Sequence, residues 1–458
     1  MTFAVVLIGY LAAIVSLGWL GYRRTRTGTD FIVAGRTLGV LVGGATLAAS
    51  QISAGTFVGT VGLHYLSGVC FVWVWPGAWL GWIVSAVWVA PRLRESGAVT
   101  VPDYLHRRYG PVARTLAAGL IVVAYAIHLV AQYKASGIVA HAVLGWPEWS
   151  GIVLILGSTA IYSLLGGLHG GARIDLLQSA VMLTGVVTAV PYLLGHLGGL
   201  DGLARQLNGV DPRLAGWFFG WRELVAFGAA FGLSLASTPL EITRFVSMKD
   251  AATARYAIGV AFIFQAIIGM SIMMIGLSMR ALFPDLPSGD LASSVMAAHV
   301  LTPVAGSLLI VAAFSAMMST SNAVLLVSGA ALVHDVYVPL VRPQADERAQ
   351  LTANRVAIVL LALVPVWFAV HPVPLVQFIV LFQAKLVASF FFVPVVIGLN
   401  WRRATGTAAV ASMVTGVLVC LWWSLQPVLP LGVDAIFPGV ASSFVVFVVA
   451  SLATSRPS

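Results

Sequence analysis

The sequence is built from long apolar stretches that recur from one end of the chain to the other. Hydrophobic residues make up 59% of its 458 residues and charged residues only 9%, whereas soluble proteins carry about a quarter charged residues. Stretches of about 20 apolar residues are long enough to cross a bilayer as helices, in which every backbone polar group is satisfied internally. We therefore predict an all-α polytopic membrane protein.

The positions of the positive charges indicate how the chain is oriented in the membrane. The net charge is +9, but the arginines and lysines lie in short loops, as the positive-inside rule requires, and not on a surface suited to nucleic acid. With the N-terminus outside, nineteen of the 25 basic residues fall in inner segments, four in outer segments and two within spans. We predict a multi-pass protein of the cell membrane with its N-terminus outside and its C-terminus in the cytoplasm.

Thirteen transmembrane helices are predicted from the apolar stretches. A miscounted helix would invert every loop that follows it, so the charge asymmetry supports this number. The approximate ranges are 2–22, 39–66, 69–91, 112–139, 149–165, 172–197, 223–245, 253–281, 303–334, 350–370, 374–398, 404–425 and 436–453.

Two of these spans are interrupted near their middle. The second reads GGATLAASQISAGTFVGTVGLHYLSG (43–68), and the seventh reads FGAAFGLSLASTPLEITRF (227–245), in which Pro239 removes a backbone donor. Interrupted helices at matching places in two halves are typical of inverted-repeat transporters, whose unwound backbone leaves carbonyls free for a cation. The alternative that glycine, serine and proline serve only helix packing stays open.

These breaks divide the chain into five predicted segments. An N-terminal helix and inner loop precede two repeats of five helices, which an outer loop connects, and two C-terminal helices follow. The ranges are 1–38, 39–197, 198–222, 223–398 and 399–458.

Six motifs, taken together and in this order, resemble the sodium:solute symporter family. They are DFIVAGR (30–36), SQISAGTFVGTVG (50–62), TVPDYLHRRYG (100–110), GGLHGGARIDLLQ (166–178), SAMMSTSNAVLLVSGAALVHDVY (315–337) and GLNWRRAT (398–405). In the fourth motif Ile174 stands where the family has a threonine. The resemblance implies a LeuT-type core of ten helices in a 5+5 inverted repeat, and sodium-coupled uptake of a small solute.

The hydroxyls of the fifth motif suggest where sodium binds. Ser319 and Thr320 follow Ala316 by three and four residues and so share a helical face with its carbonyl. The resemblance implies that these three residues supply sodium ligands and that the carbonyls of Ala49 and Ile52 supply two more. Neutral oxygens suit a hard cation that must leave its site again. The alternative is that the hydroxyls only bond back to the preceding turn.

The same resemblance bears on the number of sodium ions and on their release. Some members of the family place ligands for a second sodium at the positions of Asn322 and Ala323, but alanine offers no side-chain oxygen, so we predict one sodium per cycle. Asp175 matches a signature aspartate that would lower the energy of sodium as it leaves for the cytoplasm. The alternative is an acid in the first turn of a helix, favourable for the helix dipole.

Two lysines, Lys134 and Lys385, fall within predicted spans, where an ionisable residue is a functional hypothesis by default. Lys385 is at least ~16 Å from either interface, too far for its side chain to reach. It is our candidate for binding a substrate carboxylate, the alternative being a structural pair with another buried group. Lys134 is also a candidate substrate contact, the alternative being that it lies near enough to the outer end of its helix to extend to the interface.

The broken helices provide the other predicted substrate contacts, which are Gln51, Ser53, Thr56, Ser234 and Thr238. Three tryptophans of the third span, Trp73, Trp75 and Trp79, either cap a cavity or face lipid. His64 and His128 are expected to pack or to make weak polar contacts.

The predicted function is sodium-coupled symport of a small organic solute into the cell, with a carboxylate or zwitterion favoured because of Lys385. Sodium is the predicted cofactor, and the partners are the solute and the lipid bilayer, without nucleic acid. The sequence identifies neither the solute nor the oligomeric state.

The sequence leaves three alternatives to symport. The first is proton-coupled or sodium-independent transport, with Lys385 or Asp175 as the switch. The second is a membrane sensor, which would need a signalling domain, while the sequence ends at Ser458 directly after its last predicted span. The third is a membrane enzyme, which would need clustered acids and histidines; only Asp175 and Glu241 are candidates.

Overall fold

The computed structural model describes residues 2–22 and 28–455. Within these residues the regular structure is helical, apart from one isolated parallel bridge between Leu38 and Met248. The first residue, residues 23–27 and residues 456–458, which belong to the predicted terminal segments and the first inner loop, lie outside this description.

Sixteen helices form the bundle and its connections, and we number them in chain order. They are α1 (Thr2–Tyr22), α2 (Val40–Gln51), α3 (Val61–Ser67), α4 (Trp75–Val84), α5 (Val101–Tyr109), α6 (Pro111–Leu144), α7 (Glu148–Leu197), α8 (Gly199–Val210), α9 (Trp221–Ser237), α10 (Pro239–Val246), α11 (Ala251–Leu282), α12 (Pro303–Leu332), α13 (Glu347–Ala369), α14 (Val376–Phe391), α15 (Gly406–Ser424) and α16 (Ile436–Thr454).

Short helical segments extend or connect these helices. Wider turns precede α3 and lengthen α4, α12 and α14, and tighter turns lie in several loops. These segments are Gly28–Val33, Ala34–Arg36, Gly55–Thr60, Gly68–Val74, Ser85–Val89, Ala90–Glu95, Pro212–Ala215, Gly289–Leu291, Ala292–Val295, Met296–Val300, Val333–Tyr337, Val338–Leu340, Phe392–Ile397 and Pro430–Gly432.

Nine helical stretches of the described residues are long and apolar enough to cross a membrane, and the bent pair of α9 and α10 makes ten. One of the nine, Gly55–Glu95, has 41 residues and contains the second part of the predicted span 39–66 and the whole of the predicted span 69–91. The predicted count of thirteen spans is not confirmed by this criterion and stays a prediction.

Helix α12 occupies the centre of the bundle. Every residue from Leu309 to Ala331 is buried, and the helix packs against α1, α6, α7 and α13. A helix that is apolar on all sides is expected in the interior of a membrane protein. Its hydroxyl side chains therefore meet other protein groups and not lipid.

Both predicted breaks are present. Helix α2 ends at Gln51, and Ile52 is extended with φ −76° and ψ 107°. Thr238 is extended with φ −68° and ψ 130°, as the residue before a proline prefers. Helices α9 and α10 meet at this residue with a bend of 43°. Each interrupted helix thus exposes backbone groups inside the bundle.

Helices α4 and α9 cross at four glycines. Gly77 and Gly81 on α4 face Gly228 and Gly232 on α9, and a Cβ atom added at Gly81 would lie 2.1 Å from the carbonyl oxygen of Gly232. Small residues at such a crossing let the two backbones approach closely, which is how helices associate in lipid.

We expect Gly81→Ala to lower the melting temperature of the purified protein in detergent. The added methyl group would force the two helices apart, and overpacking of this kind costs about 1–3 kcal/mol. Gly119→Ala on α6 is the matched control, since nothing lies within 4 Å of a Cβ atom there. Equal melting temperatures for both variants would contradict the close crossing.

Candidate functional site

Five predicted residues come together where α2 ends against α12. The Ser319 hydroxyl oxygen lies 2.8 Å from the carbonyl oxygen of Ala49 and 3.0 Å from that of Ala316. The Thr320 hydroxyl oxygen lies 3.2 Å from the carbonyl oxygen of Ile52 and 3.5 Å from that of Ala49. All five residues are buried. We call these five oxygens the oxygen site.

The Ala49 carbonyl of the oxygen site is available because the backbone N–H groups beyond the break bond elsewhere. The N–H of Ser53 donates to the Thr56 hydroxyl at 3.2 Å, and the N–H of Ala54 donates to the Gln132 side-chain oxygen at 2.9 Å. In a continuous helix these donors would reach Ala49 and Ser50. The break therefore leaves acceptors that face α12.

The donor set fits a hard monovalent cation. All five oxygens are neutral carbonyls or hydroxyls, the ligand type that alkali and alkaline-earth cations accept. No group of three or more histidine, cysteine, aspartate or glutamate residues in the described part of the chain has a metal-binding arrangement. The oxygen site can thus hold an ion without a cage of carboxylates.

A cavity of about 150 Å³ adjoins the oxygen site. All five predicted contacts from the broken helices line it, namely Gln51, Ser53, Thr56, Ser234 and Thr238. No charged side chain of the described residues is part of its wall. Ile52 lines the cavity and also provides a carbonyl to the oxygen site, so the break of α2 is shared by both.

The cavity has an aromatic side and several polar groups that the sequence did not reveal. The aromatic residues are Phe71, Trp75, Trp79, Trp82 and Phe231. The additional polar residues are Tyr125, His128, Gln265, Gln377 and Gln383. The cavity therefore matches a solute with an apolar body and several hydrogen-bonding groups.

The spacing of polar residues in the sequence of α6 could have identified the residues that this helix contributes. Tyr125, His128 and Gln132 are spaced by three and four residues, so they share one helical face in an otherwise apolar span. The Tyr125 hydroxyl lies 2.9 Å from the Thr238 hydroxyl and accepts from the Leu240 N–H at 2.9 Å. Tyr125 thus satisfies a backbone donor that the second break leaves without a helical partner.

The structure separates the three predicted tryptophans. Trp75 and Trp79 line the cavity, whereas Trp73 is 59% exposed and stacks on Trp217 with ring centroids 6.2 Å apart. Trp75 and Trp79 therefore belong to the cavity wall, whereas Trp73 lies on the outer surface of the bundle.

Asp175 lies behind α2 and is buried. Its carboxylate accepts a hydrogen bond from the Thr46 hydroxyl. Thr46 precedes Ala49 by three residues, about 5 Å along the helix, so Asp175 lies roughly one turn from the oxygen site. Asn322 accepts from the Ser163 hydroxyl at 2.6 Å and is not part of the oxygen site.

The structure places both intramembrane lysines in ion pairs away from the cavity. Lys385 donates to the Asp434 carboxylate at 2.6 Å, and each of the two side chains is 15% exposed. Lys134 pairs with Glu148 at 2.7 Å. Neither lysine lines the cavity. Lys385 therefore forms a structural pair, which was the alternative to binding a substrate. The reason for favouring a solute with a carboxylate is removed.

A protein-family model described as the sodium:solute symporter family matches residues 31–416. The chain belongs to this family. The sodium/pantothenate symporter of Escherichia coli (strain K12) is 27% identical to this symporter, with 98% of this chain and 96% of that protein covered. The osmoregulated proline transporter OpuE of Bacillus subtilis (strain 168) is 23% identical, with 98% and 94% covered. These relatives are transporters and not enzymes, as predicted.

Solved structures with the same fold include a Na⁺-coupled sialic acid symporter in a substrate-bound outward-open state. It matches this symporter with a TM-score of 0.86 at 17% identity, covering 100% of this chain and 98% of that one. MHP1, a nucleobase-cation-symport-1 family transporter, matches with a TM-score of 0.61 at 14% identity, covering 93% and 95%. The predicted LeuT-type fold is confirmed by these likenesses.

We expect Lys385→Met to lower the melting temperature of the purified symporter equally in sodium and in potassium. Removing one partner of a partly buried ion pair leaves an uncompensated charge, here Asp434, at a cost of up to about 3 kcal/mol. The double variant Lys385→Met with Asp434→Leu should regain part of this loss, because both charges are gone. A single variant as stable as the parent protein would contradict the structural role of the pair.

Proposed function

We propose that this symporter couples sodium binding at the oxygen site to the uptake of a small polar solute in the adjacent cavity. One observation carries the proposal. The break of α2 supplies the Ala49 and Ile52 carbonyls to the oxygen site and the Gln51 and Ser53 side chains to the cavity. An ion that fixes this break also fixes the solute contacts, and the coupling between the two ligands is reciprocal.

Hydrogen bonds join Leu38, Arg94 and Lys249 at one end of the bundle, which we call the arginine-rich end. Leu38, just before α2, accepts from the Lys249 N–H at 3.1 Å and donates its own N–H to the Ser247 carbonyl at 3.2 Å. Arg94 donates to the backbone carbonyls of Met248 and Lys249. We propose that solute release opens these contacts, and that sodium opposes the opening by linking α2 to α12 until both ligands are bound.

The membrane potential supplies part of the driving force. One sodium ion crossing 100 mV contributes about 2.3 kcal/mol, which corresponds to roughly 50-fold accumulation of the solute. We propose one sodium per cycle, with Asp175 on its path to the cytoplasm. Asp175 lies behind α2 on the side of Thr46, toward the arginine-rich end.

We propose the membrane arrangement that the charges of the sequence predict. Thirteen spans place the N-terminus outside and the arginine-rich end in the cytoplasm. The two five-helix repeats are 39–197 and 223–398, so that the two breaks open corresponding helices of the two repeats.

We expect the double variant Ser319→Ala and Thr320→Ala to require at least tenfold more sodium for half-maximal thermal stabilisation. Each hydroxyl that contacts a charged ligand contributes about 1.5–3 kcal/mol. The measurement is the melting temperature of the purified protein across a titration with sodium, at constant ionic strength with potassium. It is followed by sodium-dependent uptake into proteoliposomes of any solute that stabilises the parent protein.

Ser315→Ala is the matched control for this experiment. Ser315 is buried on the same helix, one turn earlier, and its hydroxyl bonds to the Val311 carbonyl of its own helix at 2.8 Å. The sodium concentration that gives half-maximal thermal stabilisation of this variant should equal that of the parent protein. The oxygen site is disproved as a sodium site if the double variant also keeps the parent's sodium dependence.

A further inference from the structure

A buried carboxylate, Glu241, lies behind the cavity and has no part in the function proposed above. It belongs to the first turn of α10, directly after the break at Thr238, and none of its surface is exposed. One of its oxygens accepts a hydrogen bond from the side-chain nitrogen of Gln51. Gln51 is the last residue of α2 and lines the cavity. This hydrogen bond joins the two breaks.

This bond decides which end of the Gln51 amide faces the solute. The side-chain nitrogen of Gln51 donates this bond, so the NH₂ group of the amide points toward Glu241. The carbonyl oxygen of the amide then points the other way. Since Gln51 lines the cavity, the solute meets an acceptor at this place, with an acidic side chain directly behind it.

The surroundings of Glu241 strengthen this polarity. Arg244, one turn further along α10, interacts electrostatically with both Glu241 and Asp175. Two acidic side chains and one arginine are thus buried together behind the cavity. The C-terminal end of α2, which carries Gln51, adds a partial negative charge. The environment therefore favours a cationic or hydrogen-donating group on the solute.

Glu241 also occupies a position that a solute carboxylate takes in other transporters. The N-terminus of a half-helix at a break carries a partial positive charge and commonly faces an anionic group of the substrate. In this symporter the first turn of α10 already holds a carboxylate of the chain itself. A second carboxylate, brought by the solute, would be repelled there.

We propose that Glu241 is a positioning residue that holds Gln51 as an acceptor toward the cavity. The solute therefore presents an N–H or O–H donor at the break of α2, as an ammonium, amide or hydroxyl group, and not a bare carboxylate. This assignment rests on the proposed transport function and narrows its substrate to donor-bearing solutes.

The experiment compares matched pairs of compounds that differ in one donor. L-Proline and cyclopentanecarboxylate form one pair, and other amino acids, amides and alcohols with their desamino, N-methylated or O-methylated counterparts form the rest. The readout is the concentration of each compound that gives half-maximal thermal stabilisation of the purified symporter in sodium. We expect the donor-bearing member of at least one pair to stabilise the protein at tenfold or more lower concentration. The inference is overturned if no donor-bearing compound stabilises it, or if the counterparts stabilise it equally.

Glu241→Gln tests the positioning role. A glutamine at this position can donate as well as accept, which frees the Gln51 amide to turn and present its NH₂ group. We expect the preference within the pair to fall about tenfold, while sodium still stabilises the variant in the absence of solute. Gln51→Met removes the acceptor without a change of charge and should lose the same preference, which keeps the test valid if Glu241→Gln does not fold. If either variant keeps the full preference for the donor-bearing compound, Glu241 does not position Gln51 in the way proposed.

A rescue variant and a control separate positioning from general stability. In Gln51→Glu combined with Glu241→Gln, the carboxylate faces the cavity and the amide supports it from behind, so the preference should return. Asp434→Asn makes the same acid-to-amide change at a carboxylate outside the cavity, and its preference should equal that of the parent protein. Failure of the rescue, or an equal loss in Asp434→Asn, would assign Glu241 a structural role only. If sodium does not stabilise the parent protein, the proposed sodium coupling is disproved. The preference for donor-bearing compounds is then tested by the compound pairs alone.

Discussion

The structure depends on how backbone groups are satisfied where α2 is interrupted inside the bundle. In hydrocarbon no water replaces a lost helical hydrogen bond, so each free N–H and C=O needs a partner from the protein or from a ligand. The donors beyond the break are satisfied by Thr56 and Gln132. The acceptors before it face the hydroxyls of Ser319 and Thr320. The interruption is therefore tolerated only where a set of oxygens converges, and such a set is also what a sodium ion requires.

The central position of α12 makes this arrangement rigid on one side. The helix is buried along its length, and small residues bring its neighbours close, as at Gly185, where an added Cβ atom would lie 2.6 Å from that of Ala312. The cavity wall includes Val324 of α12, but most of it comes from α4, α6, α9, α11 and α14, from the segment Gly68–Val74 and from both breaks. The proposed sodium site takes hydroxyls from α12 and carbonyls from the break of α2. An ion would bind there only when these two helices are in contact, so its binding would depend on their relative position.

The sequence predicted those parts of the site that depend on local order. Ser319, Thr320 and the break at Ile52 lie within two short segments, whose polar composition suggested a site and whose resemblance to the family implied the ligands. Contacts between distant segments could not be predicted in this way. Lys385 pairs with Asp434, 49 residues away in the loop before α16, and only the packing of α14 against that loop brings them together. The bond between Gln51 and Glu241 likewise depends on the meeting of two breaks, which neither segment specifies alone.

The distribution of charge follows from the need to release what is bound. A solute held by charged side chains would pay a large desolvation and separation cost at each opening, since opposite charges attract strongly in a medium of low dielectric constant. The cavity wall of the described residues holds amides, hydroxyls and aromatic rings, whose contacts exchange readily with water. The charges of Asp175, Glu241 and Arg244 are buried behind it. There Asp175 and Glu241 accept hydrogen bonds from the neutral groups of Thr46 and Gln51. None of the three side chains lines the cavity, so a solute would leave it without breaking an ion pair with them.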